Sequence, residues 1–384
     1  MWRSIASNAL SFFVVAIFLA GGALLWAQGE YSAEGPLEAP ICLEVARGSN
    51  FSRVSRDLAG QGAISSGFLF RVGADYADKT DALKAGSFLV PEGASMAEIV
   101  DTVTRGGAST CGTEVVYRIG VNRVTAEVRE LDPETQRFVE LAKFVPGEDE
   151  VPEDYSRVRG AADTRYRIAL AEGVTSWQVV EELKALDVLE GAVAELPPEG
   201  TLAPDSYELR VGQTRASIVE EMQRRQTAIV AEAWANRSEG LPFDTPEEML
   251  TLASIIEKET GVAGERGMVA SVFVNRLNEG MRLQTDPTVI YGITEGKGVL
   301  GRGLRQSELR GATPYNTYVI NGLPPTPIAN PGAAAIRAAV APEDTDFLFF
   351  VADGTGGPAF AETLAEHNAN VAKWRQIEAE RSGN

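Results

Sequence analysis

The first signal in the hydrophobicity pattern is a block rather than a period: residues 9–27 read ALSFFVVAIFLAGGALLWA, 19 residues without a charge. About 20 apolar residues cross a bilayer core as a helix, whereas the apolar part of a secretory leader runs roughly 7 to 15. The length predicts an uncleaved transmembrane anchor over residues 1–28. A cut after Ala27 would put bulky Leu25 where leader cleavage favours a small residue, which argues against a removed signal peptide. Arg3 lies before the block and an acidic body follows it, so the N-terminus is expected on the cytoplasmic side and the body outside. Residues 29–40 are polar, carry two prolines and two glycines, and read as a linker.

Past the linker the periods are short. A strand is expected at 41–46, helices near 51–58 and 68–77, a strand near 87–90, and then a helix opened by the capping box of Ser95 and Glu98. Three segments echo one another: RGSNFSRVSRDL from Arg47, EGASMAEIVDTV from Glu92 and EGVTSWQVVEEL from Glu172. Each sets a glycine and a hydroxyl cap before an amphipathic helix, the strand, turn and helix order of small α+β modules. Residues 113–129 alternate with period two, with Val115, Tyr117, Ile119 and Val121 on one face, and predict antiparallel strands. The charged stretch 146–155 reads as a surface loop. Residues 108–164 are therefore taken as a β-rich insertion, entered through a turn at Arg105, Gly106 and Gly107.

From residue 201 the pattern shifts to longer helices, at 215–235, 246–260, 265–279 and 364–380. The stretch between the last two is rich in Gly, Pro, Asn, Thr and Tyr. It holds too many aromatic and apolar residues for disorder, and a loop of that length is expected to carry the binding groove. The fold class is thus α+β: an N-terminal transmembrane helix, an α+β lobe over 41–200, and a mainly helical C-terminal domain with long loops over 201–384.

Composition narrows the chemistry. The chain has 384 residues, 44% of them apolar, enough for two or three domains with real cores. A net charge of −19 and the lack of a basic stripe exclude nucleic acid as a general partner. A single histidine, His367, and no cysteine pair at ligand spacing exclude a conventional zinc site, and no cofactor is expected. Cys42 and Cys111 are the two cysteines. An oxidising compartment permits a disulfide between them, and two unpaired small apolar side chains fit the spacing equally.

The chemistry-bearing segment is helix 246–260, PEEMLTLASIIEKET, with Thr245 as N-cap, Pro246 at its first position and Glu248 closing a capping box. At about 100° per residue, Met249, Leu252, Ala253, Ile255 and Ile256 form a broad apolar stripe with Lys258 opposite. Glu259 has Leu252, Ile255 and Ile256 as angular neighbours, whereas Glu257 has Leu250, Ala253 and Ser254. Desolvation favours the neutral carboxyl, so Glu259 is the first choice for a general acid and Glu257 the second. Spacing alone also fits two rim carboxylates paired with Lys258, Arg266 or Arg276.

Resemblance decides between these readings. The run LASIIEKET, then ERGMVASVFVNRLNEGMRLQTDPTVIYG, PYNTYVINGLPPTPIANPG and FLFFVADGTGG, together resemble the endolytic transglycosylases known as MltG or YceG-like proteins, over roughly 253–370. The anchor and the capped helices are similar to that family's membrane segment and LysM-like lobe. The family pattern carries a histidine in some members where this chain has Pro358, and the 108–164 insertion is larger than the usual link. The resemblance implies cleavage of the β-1,4 bond between N-acetylmuramic acid and N-acetylglucosamine in peptidoglycan, leaving a 1,6-anhydro end. It implies one catalytic glutamate, which maps to the IIEKE run. Such an enzyme would sit in the bacterial inner membrane with its body in the periplasm, ending new strands beside synthases and division proteins.

Further residues follow as candidates. Gln284, Thr285, Asp286 and Tyr291 supply polar and aromatic groups for sugar hydroxyls and acetamido groups, and Tyr315, Asn316, Thr317 and Tyr318 repeat that composition. Glu265 and Asp286 are the candidate second carboxylates of a muramidase-type hydrolase. A non-catalytic glycan-binding scaffold is the remaining alternative. Asn330, Pro331 and Gly332 read as a helix-entry turn, and His367 receives no catalytic role.

Overall fold

The computed structural model describes residues 2–105, 110–161, 163–354 and 356–382, so the turn expected at Gly106 and Gly107 lies outside the described residues. Helix α1 (Trp2–Ser32) runs unbroken, and its segment Ser11–Ser32, mean hydropathy 1.9, is long and apolar enough to cross a membrane. The chain then divides into two compact units. The first comprises Met1–Val116, Glu127–Phe144 and Glu150–Tyr166; the second comprises Tyr117–Ala126, Val145–Asp149 and Arg167–Asn384.

In the first unit, β1 (Ile41–Val45) is followed by α2 (Phe51–Gly60), α3 (Gly67–Tyr76), β2 (Gly86–Val90) and α4 (Met96–Thr104). The two strands pair antiparallel, with Ile41 opposite Val90. Asn50, Ser66 and Ser95 cap the three helices through their side chains, the last in the expected capping box. Leu43, Val54, Leu58, Phe70, Val100 and Val103 fill the core between them, each at most 1% exposed. Cys42 and Cys111 form a disulfide with Cα atoms 5.6 Å apart, which settles the choice that spacing left open.

Next come β3 (Thr113–Ile119), β4 (Val124–Asp132), β5 (Arg137–Phe144), α5 (Glu153–Val158) and β6 (Arg165–Leu170), then α6 (Ser176–Ala185), β7 (Leu189–Glu190), β8 (Ser206–Leu209) and β9 (Gln213–Thr214). Five of the strands form one sheet in the order β5-β4-β3-β6-β8, and β7 pairs with β9 in parallel. The antiparallel-looking alternation of 113–129 is only half of the pattern. In β3 every residue except Arg118 is buried, Glu114 and Val116 included, so both faces are covered, and Val121 falls beyond the strand. The stretch 146–155 is not wholly loop either. It leads into α5, where Tyr155 is 3% exposed and its ring meets Phe144 edge-on at 5.1 Å.

The rest of the second unit contains α7 (Arg215–Ala235), α8 (Pro246–Glu259), α9 (Arg266–Asn278), α10 (Asp286–Thr294), α11 (Gln306–Arg310), α12 (Ala333–Val340), β10 (Phe349–Ala352), β11 (Pro358–Ala361) and α13 (Leu364–Ser382). Helix α12 packs on α7, α8 and α9. Helix α8 is therefore central, and from Met249 to Glu257 every residue is buried rather than a single stripe. The stretch expected as loop between α9 and α13 holds three short helices and the antiparallel hairpin β10–β11. These elements are too short, and too interrupted by glycine and proline, to display a full hydrophobic period.

Candidate active site

Thr245 and Glu248 cap the start of α8 in the reciprocal box that the sequence announces, with Pro246 at the first turn. The helix ends because Thr260 adopts an extended conformation, φ −142° and ψ 131°. Glu259 is thus the last helical residue, among the carbonyls at the negative end of the helix dipole, where an ionised carboxylate is disfavoured. Ile255 and Ile256 beside it are fully buried.

Glu259 is half-buried and accepts a short hydrogen bond from Thr285 Oγ1. Burial pushes its carboxyl above the ordinary range; the Thr285 bond opposes this, the Asp286 carboxylate adds to it, and the Arg276 guanidinium opposes it. Arg276 is itself 7% exposed and fixed by carbonyls, its Nε donating to Leu348 O at 2.6 Å and its Nη1 to Leu283 O at 2.5 Å. A carboxyl lifted in this way gives up and retakes a proton nearer neutrality.

Glu257 differs from what its angular neighbours suggest. It is 9% exposed, its Oε2 accepts from Gly332 N at 2.9 Å, and its Oε1 lies 3.5 Å from Arg266 Nη2, which also reaches Glu172 at 3.1 Å. Burial raises its carboxyl as well. The missing side chain of Gly332 makes room for Glu172, since a Cβ there would fall 1.8 Å from Glu172 Oε1. The expected helix-entry turn is present, with Gly332 as the N-cap of α12. Asn330 within it is fully buried, donating to Val174 O at 3.0 Å and accepting from Leu202 N at 2.9 Å.

A cleft of about 480 Å³ opens at Glu259, lined by Thr260, Val262, Glu265, Phe350, the glycines of the β10–β11 turn, Trp374 and Arg381. Glu265 accepts from Thr260 Oγ1 at 2.8 Å. None of the residues from the LQTDP or PYNTY motifs lines it. Those two motifs meet each other instead. Gln284 N donates to Thr317 O at 3.1 Å, Thr285 N to Thr317 Oγ1 at 3.0 Å, and Tyr318 OH to Asp286 Oδ1 at 2.7 Å. Gln284 and Asp286 are exposed, the former with φ of 51°, an uncommon value for a residue with a side chain. Asn316 and Thr317 are fully buried; Asn316 Nδ2 donates to the carbonyls of Glu308, Leu309 and Gly311 at the end of α11, so both side chains turn inward rather than to the surface.

The rings of Tyr291 and Tyr315 meet at 5.1 Å with their planes tilted by 55°, Tyr291 OH donating to the half-buried Glu199 at 3.2 Å and Tyr315 OH paired with Thr326 Oγ1 at 2.8 Å. Tyr291 lines a separate cavity of about 340 Å³ together with Thr175, Gln178 and Lys258. His367 stacks on Phe349 at 5.2 Å. No group of three or more His, Cys, Asp or Glu residues that could hold a metal occurs among the described residues. Sequence reasoning missed the aromatic cleft walls Phe350 and Trp374 and the part of Glu172 in the network, whereas the pairing of Arg266 with Glu257 is one of the alternatives that spacing allowed. Of the two cleft walls, Phe350 lies within the FLFFVADG motif and Trp374 lies in no motif singled out.

A mixed α+β chain with a half-buried carboxyl of raised pKa at the edge of an open cleft is the class that fold and site define. The chain belongs to the YceG-like family, which matches residues 43–373. It is 36% identical over 178 residues to an endolytic murein transglycosylase of Bacillus subtilis, covering 46% of this chain and 48% of that protein. It is 26% identical over 376 residues to an endolytic murein transglycosylase of Streptococcus pneumoniae, covering 95% of this chain and 64% of that protein. The chain thus spans about half to two thirds of the length of these relatives. A solved structure of a yceG-like protein from Listeria monocytogenes aligns with a TM-score of 0.46 and 26% identity, over 86% of this chain and 99% of that one.

Proposed function

We propose that this chain is a membrane-anchored endolytic transglycosylase that cuts peptidoglycan strands, with Glu259 as its acid and base. The observation that carries this reading is the half-buried Glu259 at the end of α8, its carboxyl raised by burial, on the wall of an open cleft. The names of its relatives and the membership of its family support the choice of substrate. Glu259 gives its proton to the glycosidic oxygen as the bond from C1 breaks. The carboxylate then takes the proton of the muramoyl 6-hydroxyl as that oxygen bonds to C1. No water enters, and one carboxyl serves both steps.

Gln284, Asp286 and Tyr318 lie outside that cleft but beside Thr285, which bonds Glu259, and in this reading they contact the glycan strand beyond the cleft. Phe350 and Trp374 supply apolar faces for the rings. Thr317 and Asn316 act by holding the loop, and Glu257 by bracing α12. The capped helices of the first unit form a LysM-like lobe, and α1 anchors the chain in the inner membrane with its body in the periplasm. There it would end nascent strands beside the synthases that make them.

Glu265 lines the same cleft, which favours a hydrolase as the second reading, since a paired carboxylate can activate water. Digestion of purified peptidoglycan followed by mass spectrometry separates the two. Anhydro ends formed within strands, lost in Glu259→Gln by a factor on the order of 10² or more, are expected; reducing ends alone would establish the hydrolase. Full activity in Glu259→Gln would overturn both.

A further inference from the structure

Helix α3 carries an apolar face left open among the described residues. Phe68, Val72 and Tyr76 are 65%, 48% and 93% exposed. At about 100° per residue their four-residue spacing keeps them within an arc of about 80°. Single exposed apolar residues are ordinary, but three aligned on a 10-residue helix make a patch.

The same helix receives the end of α1. Gly73 lies about 60° round the helix from Tyr76. A Cβ on Gly73 would fall 2.1 Å from Tyr31 Cε2, so the absent side chain is what lets the Tyr31 ring rest against α3. Ser65 Oγ, just before α3, donates a 2.6 Å bond to Glu30 Oε1. Two consecutive residues of α1, Glu30 and Tyr31, therefore reach Ser65 just before α3 and Gly73 within it. Both the entry to α3 and its middle are thus held against the last two turns of α1.

Tyr31 lies four residues beyond Ala27, the end of the apolar block, an axial distance of about 6 Å. The headgroup layer outside the hydrocarbon is about 5 to 8 Å deep on each side. A helix packed on a membrane helix at that height lies at the level of the interface, where tyrosine and other aromatic rings are favoured and where amphipathic helices bury an apolar face.

We infer that the Phe68–Val72–Tyr76 face of α3 rests in the headgroup region of the lipid bilayer that α1 enters, so that two elements rather than one hold the first unit to the membrane. This rests on α1 being a membrane anchor. The net charge of −19 gives anionic lipid no general attraction, so a neutral bilayer suffices and apolar contact supplies the binding.

The test uses the full chain, with Cys42 and Cys111 paired, reconstituted in phosphatidylcholine vesicles. An added cysteine carries a nitrobenzoxadiazole probe at Phe68, Tyr76, Leu19 or Glu134, all exposed positions. Probes at 68 and 76 are expected to be quenched by lipids brominated high on the acyl chain, and several-fold less by aqueous iodide than the probe at 134. If position 19 is quenched by bromine while 76 behaves like 134, the anchor stands and this inference falls. If position 19 also escapes bromine, the anchor reading fails and takes the inference with it. Shielding of 76 from iodide without bromine quenching would assign the face to a protein partner and overturn the lipid assignment.

Discussion

Thr285 donates its hydroxyl to Glu259 and its backbone N–H to Thr317 Oγ1 at 3.0 Å, so the candidate acid is tied to the PYNTY loop through a single residue. The hydroxyl bond favours the ionised carboxylate and Asp286 disfavours it. An acid works while protonated, so turnover is lost as pH rises through its raised pKa. Thr285→Val should therefore move the alkaline limb of the kcat/KM profile to higher pH, and Asp286→Asn should move it lower. At its optimum Thr285→Val should lose on the order of tenfold in rate, the worth of about 1.4 kcal/mol for one hydrogen bond. Profiles that keep the wild-type limb in both variants would detach these residues from the acid.

Arg266 compensates a carboxylate that is almost wholly enclosed, with side chains 10% and 4% exposed for Arg266 and Glu257. Arg266→Met leaves that carboxylate without its cation and should cost about 3 kcal/mol in denaturant titrations at neutral pH. Glu257 has a raised carboxyl, so the protonated form is the one the fold tolerates. Its favourable contribution is present at low pH and lost as pH rises through the folded pKa, so the deficit of Arg266→Met should shrink on acidification. Glu257→Gln keeps an acceptor for Gly332 N and should retain most of the stability and activity. Complete inactivation of a well-folded Glu257→Gln would move the acid to position 257.

The disulfide between Cys42 and Cys111 closes a span of 69 residues within the first unit. Chain-entropy estimates for a loop of that size give about 4 kcal/mol of stabilisation. Paired Cys42→Ser and Cys111→Ser substitutions should lower the thermal midpoint of this unit, and a reductant should do the same to the native chain only. Equal midpoints with and without reductant would show that the bridge does not constrain the unfolded state.

Trp374 faces the cleft that Glu259 borders, on a terminal helix that packs against β10 and β11. Trp374→Ala should raise KM for glycan strands several-fold, in keeping with about 1 kcal/mol for a ring stacked on a sugar, and leave kcat near its native value. A fall in kcat at unchanged KM would place the ring's effect on the chemistry instead.

Local signals carried much of the architecture. The capping boxes at Ser95 and Thr245 stand as read, and α2, α3, α7, α8, α9 and α13 start and stop within a few residues of their caps and periods. The errors came where distant chain decides the environment. Glu257 looked the wetter of the two glutamates because its helical neighbours are smaller. Gly332, 75 positions away, and Arg266 enclose it. Asn316 and Thr317 have the composition of a sugar-reading loop, yet their side chains turn inward, and no local pattern reports which way a loop residue points. Trp374 and Phe350 reach the cleft only through tertiary packing.

Helix α1 continues to Ser32, and by Gly35 the chain is already bonded to Gly93, with 2.9 Å between Gly35 N and Gly93 O. Only two residues intervene, a slack of no more than about 10 Å at full extension. Where a leash would let the first unit drift, this joint acts as a mooring. The height at which that unit stands above whatever grips its leading helix is written into the fold rather than into the length of a tether.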